Sequence, residues 1–200
     1  SCETIEVHTL QKRIFTNAKC AFAYRESIFK GEEKGNYIIT SVTFKLTKKN
    51  HQLHTQYGAI QQVLLERGIT KPTPEELSDA IITIRESKLP NPNVLGNCGS
   101  FFKNPIILKT DYEKLQQQYP EIPCYPVNET EVKVPAGWLI DRSGLKGYRK
   151  GDAGVHKHQA LVLVNYGEAT GEEILAVANY VKAQVREKFG IALEFEVNIF

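Results

Sequence analysis

Ala160-Leu161-Val162-Leu163-Val164, Thr170-Gly171-Glu172-Glu173 and Leu193-Glu194-Phe195-Glu196-Val197-Asn198-Ile199 follow one another in a short stretch, and their three patterns decide the fold. The first is a continuous apolar run of strand length, which suits a strand covered on both faces. The second is a capping box, with Thr170 as N-cap and Glu173 at N3. Behind it Ile174, Val177, Ala178, Val181 and Val185 recur at helical spacing. Gly190 stands where a left-handed residue would end that helix. The third pattern alternates, with Leu193, Phe195, Val197 and Ile199 on one face and Glu194, Glu196 and Asn198 on the other, as in a half-buried strand. Strand, helix and strand of this kind predict an α+β domain.

Working outward, Thr73-Pro74-Glu75-Glu76 is a second helix start: Thr73 as N-cap, proline at N1 and Glu76 closing the box. Leu77, Ala80, Ile81 and Ile84 continue it, and Pro90 forbids its extension. Shorter helices are expected over residues 111–119 and 136–143. The first quarter reads as strand, at residues 3–7, 13–16 and 37–46, with Ile38, Val42, Phe44 and Leu46 on one face and Thr47-Lys48-Lys49-Asn50 closing the last of them. Gly68-Ile69-Thr70-Lys71-Pro72 reads as a linker. The expected division is residues 1–75, too short and strand-rich to stand alone, and residues 76–200.

A composition of 42% hydrophobic and 24% charged residues is that of an ordinary soluble globular protein. No apolar run is long enough to span a membrane. Ser1-Cys2-Glu3-Thr4 lacks the regions of a signal peptide. The absence of any methionine suggests a piece of a longer protein. A formal charge of +2, with dispersed lysines and arginines, gives no reason to expect nucleic acid as a partner. Cys2, Cys20, Cys98 and Cys124 form no CxxC pair, so reduced thiols in a cytoplasmic protein are expected. The five histidines show no metal spacing, and no metal site is expected.

The most unusual stretch is Gly96-Asn97-Cys98-Gly99-Ser100-Phe101-Phe102-Lys103-Asn104-Pro105. Its glycines permit a tight backbone path and close approach of a ligand. Ser100, Lys103 and Asn104 would then offer a hydroxyl, a cation and an amide from one segment. Taken by itself, the stretch reads first as a turn leading into a Phe-Phe strand, because glycine and serine are ordinary turn residues. Arg25, set among aromatics in Phe22-Ala23-Tyr24-Arg25-Glu26-Ser27-Ile28-Phe29-Lys30, suits a planar anion such as a carboxylate; a salt-bridged surface arginine is the plainer alternative. Lys88 and Lys133, each ahead of a proline-containing segment, are further anion contacts or ordinary surface charge. Glu194 and Glu196 sit where a half-buried strand is expected to be polar. His156, Gln159 and Asn165 are ligand contacts or loop solvation. There is no Ser-His-Asp order, no Walker loop and no GxGxxG after a strand, which weighs against hydrolase, kinase and Rossmann readings.

Taken together, these motifs stop being generic. Tyr24-Arg25-Glu26-Ser27-Ile28-Phe29-Lys30, Lys88-Leu89-Pro90-Asn91-Pro92, the Gly96 to Pro105 stretch, Ala136-Gly137-Trp138-Leu139-Ile140-Asp141, Val155-His156-Lys157-His158-Gln159-Ala160-Leu161-Val162 and Leu193-Glu194-Phe195-Glu196-Val197 occur in that order. The chain so resembles the UDP-N-acetylenolpyruvoylglucosamine reductase family of bacterial peptidoglycan synthesis, from about residue 20 to the end. Tyr57-Gly58 resembles the tyrosine loop of the longer subtype.

The resemblance implies the C-terminal end of a flavin-binding α+β domain followed by an α+β substrate-binding domain. It implies FAD, held mainly by an N-terminal region that these residues do not include, and NADPH as reductant. The implied substrate is UDP-N-acetylglucosamine enolpyruvate, the product UDP-N-acetylmuramate, and the protein a cytoplasmic monomer. Ser100 matches the family's proton donor. Arg25 and Glu196 match the residues that attend the substrate carboxylate and its enolate. Tyr57, Lys88 and Asn104 match contacts around the diphosphate, and Lys133 and Gln159 match contacts to the rest of the nucleotide sugar. Arg25 would stabilise developing negative charge, whereas Glu196 would help only protonated or offset by Arg25. Cys98 stands where alanine is usual and Phe195 where proline is usual. Two alternatives stand beside this reading: a stand-alone nucleotide-sugar or anion-binding module without redox activity, and a different flavin oxidoreductase of the same architecture.

Overall fold

The computed structural model describes residues 1–56 and 58–199. The chain forms two compact units, Ser1–Leu53 and His54–Phe200. In the first, strand β1 (Cys2–Glu6) lies between β2 (Lys12–Phe15) and β3 (Tyr37–Val42), both antiparallel to it. A single turn of helix, α1 (Asn17–Cys20), follows β2; the Thr16 hydroxyl accepts from the Lys19 amide and Ala21 closes the turn in the left-handed conformation. Cys2, Thr4 and Cys20 are buried, and Phe15 meets Phe29 and Tyr37 edge to face at 5.1 and 5.0 Å. Strand β3 is shorter than its periodicity predicts. The ladder ends with Cys2 opposite Val42 and a last bond from Thr43 N–H to the Ser1 carbonyl. Ile38, Val42, Phe44 and Leu46, which the alternation sets on one face, are exposed.

In the second unit, α2 (Ile60–Glu66) and α3 (Pro74–Lys88) pack as a pair, Ile60 and Leu64 meeting Ala80, with Leu77 and Ile84 alongside. The capping box of α3 forms in both directions, Glu76 N–H to Thr73 Oγ1 at 3.2 Å and Thr73 N–H to the Glu76 carboxylate at 2.7 Å. Ile81, expected to face inward, is 37% exposed. The packing of α2 on α3 groups residues 54–75 with the second unit, so the compact units divide upstream of the 75/76 boundary that the linker-like sequence suggests.

The body of this unit is a four-stranded antiparallel sheet of β4 (Gly96–Ser100), β10 (Val162–Asn165), β9 (Ala153–Val155) and β8 (Arg149–Lys150), in that order. Helix α6 (Gly171–Phe189) packs on it, burying Val177, Ala178, Val181, Val185 and Phe189. A smaller sheet orders β5 (Ile106–Leu108), β7 (Glu131–Lys133) and β6 (Tyr125–Pro126), accompanied by α4 (Lys109–Gln118) and α5 (Ala136–Arg142). The architecture is α+β, as expected. The helices predicted at 111–119 and 136–143 are α4 and α5.

Helix α6 obeys its sequence closely. Thr170 accepts from Glu173 N–H at 3.2 Å, the Glu173 carboxylate accepts from Thr170 N–H at 2.8 Å, and Gly190 adopts φ 70°. Only a residue without Cβ takes that conformation at no steric cost. Thr170→Ala is expected to lower stability by about 1 kcal/mol, and Thr170→Ser to change it little. Urea unfolding of both variants measures the difference.

Two expectations need correction. The glycine-rich stretch is not a turn ahead of a strand; it is itself the edge strand β4. The alternating C-terminal segment is not a full strand. It forms one antiparallel bridge, Phe102 to Phe195, with Lys103 N–H donating to the Glu194 carbonyl and Glu196 N–H to the Phe101 carbonyl. The partner segment is short because Pro105 comes soon after it and has no N–H to donate. The alternation survives in part: Leu193 is buried and Phe195 half-buried, while Ile199 is exposed.

Candidate active site

Ser100 owes its place to a bulge. Opposite β10, Val164 pairs with Asn97 and Val162 with Ser100, so β4 carries one residue more than its partner across that interval. Gly99 absorbs it at φ +75°, and the Asn97 carboxamide fixes the loop, accepting from Gly99 N–H at 3.0 Å and donating to the Leu95 and Pro90 carbonyls at 2.8 and 3.2 Å. Bulges of this kind bend a strand and re-aim the side chain next to them. Ser100 is half-buried at the end of β4.

The chain continues from Ser100 directly into the bridge with the C-terminal segment. Phe101 N–H donates to the Leu161 carbonyl at 2.8 Å, and the Phe101 carbonyl accepts from Glu196 N–H at 2.9 Å. Phe101, the residue after Ser100, is thereby joined to Glu196 from far along the sequence, while Ser100 itself pairs with Val162 of β10. Phe101, Phe102 and Phe195 lock it, their ring centroids 5.4 to 5.8 Å apart. Lys103, read as a possible ligand cation, pairs with Glu194 at 3.2 Å across the same two segments. An open, largely apolar cavity of about 590 Å³ lies beside the ladder, lined by Cys98, Phe101, Gly171, Val197 and Ile199 among others.

Asn104 and Gln159 converge on the start of α5. The Asn104 Oδ1 atom accepts from Ala136 N–H at 2.9 Å, so its acceptor belongs to the fold and its Nδ2 is the atom left to turn to a ligand. The Gln159 Oε1 atom lies against Gly137, 3.7 Å from where a Cβ would stand. Lys133, on β7, pairs across to Ile106 on one side and Tyr125 on the other, with its ammonium 5.8 Å from the Tyr125 ring centre. Tyr125 is 56% exposed. An exposed aromatic beside a lysine is suited to a charged, planar ligand, and the sequence reading did not single it out; Pro flanking on both sides of residues 124–125 was the signal present. Lys88 is exposed in the last turn of α3 and connects through Pro90 to the Asn97 clamp. Tyr57 lies outside the described residues.

Arg25 belongs to the first unit. Ala23 and Glu26 exchange backbone hydrogen bonds at 3.0 and 3.2 Å, so Tyr24 and Arg25 form the tip of a tight turn. Arg25 takes φ +57° and Ala21 φ +47°. Both are left-handed without being glycine, a conformation that costs about 1 to 2 kcal/mol per residue. The Arg25 guanidinium lies 5.9 Å from the Tyr24 ring centre, and the Lys30 ammonium donates to the Arg25 carbonyl at 3.2 Å.

Asn165 takes the plainer of its two roles. Its carboxamide accepts from Gly167 and Ala169 N–H and donates to the Ala169 carbonyl, shaping the entry to α6. His156 is buried, with Nδ1 lacking a hydrogen-bond partner among the described residues. Burial first, then the positive charge of His158 and Lys157, pushes its pKa down from 6.5. The unfolded chain therefore binds a proton more readily than the folded one, so stability is full above pH 6.5 and is lost as the pH falls from there through the folded value. Thermal unfolding midpoints should drop over that acidic window, and His156→Phe should flatten the drop. Among the described residues no group of His, Cys, Asp and Glu is arranged to hold a metal ion, and no helix is long and apolar enough to cross a membrane.

Residues 91–200 match the family model of the UDP-N-acetylenolpyruvoylglucosamine reductase C-terminal domain. The chain is 58% identical to a UDP-N-acetylenolpyruvoylglucosamine reductase of Flavobacterium johnsoniae, over 100% of the chain and 59% of that protein. It is 52% identical to the protein of that name in Chromobacterium violaceum, over 90% of the chain and 53% of that protein. The chain thus spans a little over half the length of these curated relatives. Among solved structures, that of UDP-N-acetylenolpyruvylglucosamine reductase from Thermus caldophilus superposes with a TM-score of 0.57 at 21% identity, over 100% of the chain and 52% of its own length. That likeness concerns the fold.

Proposed function

Because the chain belongs to the UDP-N-acetylenolpyruvoylglucosamine reductase family, we propose that it carries the substrate-reducing half of an NADPH- and FAD-dependent enzyme that converts UDP-N-acetylglucosamine enolpyruvate to UDP-N-acetylmuramate. In this reading residues 76–200 form the substrate domain and residues 1–75 the end of the flavin domain. The observation that carries it is the bridge that sets the backbone of Phe101, one residue from Ser100, against Glu196.

The donors present fit one side of such a reaction: a hydroxyl, a carboxyl, a guanidinium, amides and lysines, with none able to deliver a hydride. Glycines of positive φ occur singly here, at a bulge, in turns and at a helix end, so the flavin pyrophosphate would be held by residues other than these. A flavin, when bound, would supply the hydride chemistry that these side chains lack. Arg25 holds the substrate carboxylate and stabilises the negative charge that develops beside it. Ser100 gives its hydroxyl proton to the adjacent carbon; a serine is a very weak acid, but an α-carboxy carbanion is basic enough to take it. Glu196 attends the same carbon as a protonated acid, since a bare carboxylate would repel the charge that develops there. Tyr57, Lys88 and the Asn104 amide orient the diphosphate, and Lys133 and Gln159 the remainder of the nucleotide sugar.

The test is flavin absorbance in the full-length protein under anaerobic conditions. NADPH should bleach it, and the enolpyruvyl nucleotide sugar should restore it. A flavin that reduces but is not reoxidised by that substrate would overturn the assignment. A protein that binds the nucleotide sugar but carries no flavin would instead favour a binding module.

A further inference from the structure

The first unit holds two cysteines that the proposed chemistry does not use. Cys2 on β1 and Cys20 at the end of α1 are both buried, at 4% and 0% exposure, with their sulfurs 3.8 Å apart. The Cys20 thiol also lies 3.9 Å from the Phe15 carbonyl, to which it can donate. We infer that Cys2 and Cys20 are a reversible thiol–disulfide pair whose closure unseats the Tyr24-Arg25 turn.

Geometry gives the reason. Two sulfurs in van der Waals contact must approach to about 2.05 Å to bond. Cys2 is held in the middle of its sheet, opposite Phe15 on one side and Val42 on the other. Cys20 sits on a helix of only 4 residues, fixed at its start by the Thr16 cap. The helix is therefore the side that moves. Directly behind Cys20 come the left-handed Ala21 and then the Ala23 to Glu26 turn, with Arg25 also left-handed. Positions that tolerate such conformations only because their surroundings impose them are the ones a shift upstream releases.

The oxidant is a small peroxide. The Cys2 sulfur, the less buried of the two, displaces water from hydrogen peroxide and becomes a sulfenic acid. The Cys20 sulfur then attacks it, the S–O bond breaks, and the hydroxide leaves as water with the Cys20 proton. Two thiols lose two electrons and one peroxide becomes two waters. Burial pushes the Cys20 thiol up, which keeps its thiolate fraction low and makes the pair slow to respond to mild oxidant. A dithiol reductant reverses the reaction by exchange.

The consequence for activity rests on the proposed role of Arg25, whereas formation of the bond does not, and the experiment separates them. The reduced full-length protein is treated with hydrogen peroxide, alkylated and digested. A peptide joining Cys2 to Cys20, two hydrogens lighter than its parts and abolished by dithiothreitol, is expected, together with faster amide exchange over residues 21–26. Substrate reduction should fall on the order of a hundredfold, as for a misplaced active-site group, and return on reduction. Cys2→Ala should lose the reversible part of the effect, as should Cys20→Ala if the first variant folds poorly. Full alkylation of Cys2 and Cys20 after peroxide, or a linked peptide with unchanged exchange, would sink the proposal. A linked peptide and altered exchange with undiminished turnover would support the switch and count against the role of Arg25.

Discussion

In the full-length, flavin-loaded protein, Ser100→Ala is expected to leave reduction of the flavin by NADPH near its normal rate while slowing reduction of the enolpyruvyl substrate by about 10² to 10⁴, the usual contribution of a positioned proton donor. The split between half-reactions is the point of the experiment. A general loss of fold would slow both, and so would weakened flavin binding. No hydrogen bond of the fold runs through the Ser100 hydroxyl among the described residues, so the melting temperature should hardly move. Stopped-flow absorbance of the flavin reads the two steps separately. Equal slowing of both would remove the case for Ser100 as donor.

Phe102→Ala is expected to cost about 3 to 5 kcal/mol of stability, the range for emptying the site of a buried aromatic. Phe102 is 2% exposed and is the residue through which the β4 extension bridges Phe195. Its removal leaves a void where three phenyl rings meet, and it loosens the segment that carries Glu196. Phe102→Leu, which fills most of that volume, should lose much less. Urea unfolding measures both variants. A loss under about 1 kcal/mol for the alanine variant, well short of the range for a buried aromatic, would mean that this cluster does not hold the ladder together.

Local signals were legible in the sequence, and pairings between distant segments were not. Thr73 with Glu76 and Thr170 with Glu173 announced their helices because a capping box is complete within four residues. Helix α2 went unseen because Ala59 offers no side-chain cap and the helix is short. Strands β5 to β9 span two or three residues each, too few to show alternation. Gly99 looked like a turn glycine, since a bulge and a turn ask for the same left-handed backbone. For the site, the sequence named Ser100, Asn104, Gln159 and Glu196, and the fold brings each into the same unit. It could not tell that Lys103 is engaged by Glu194, or that Asn104 spends one atom on the start of α5; both depend on contacts made only after folding.

The Phe102–Phe195 bridge bears on a substitution that looks disruptive in the sequence. Its hydrogen bonds are carried by the carbonyl of Glu194 and the amide of Glu196, so the amide of residue 195 takes no part in them. An imino acid at 195 would subtract nothing from that ladder. Phenylalanine there exchanges a fixed backbone angle for a ring that joins the aromatic cluster and lies 4.3 Å beneath the Lys182 ammonium. Two unlike ways of stiffening one strand end are thus open at this position, and Phe195→Pro is expected to leave the hydrogen bond from Glu196 N–H to Phe101 in place.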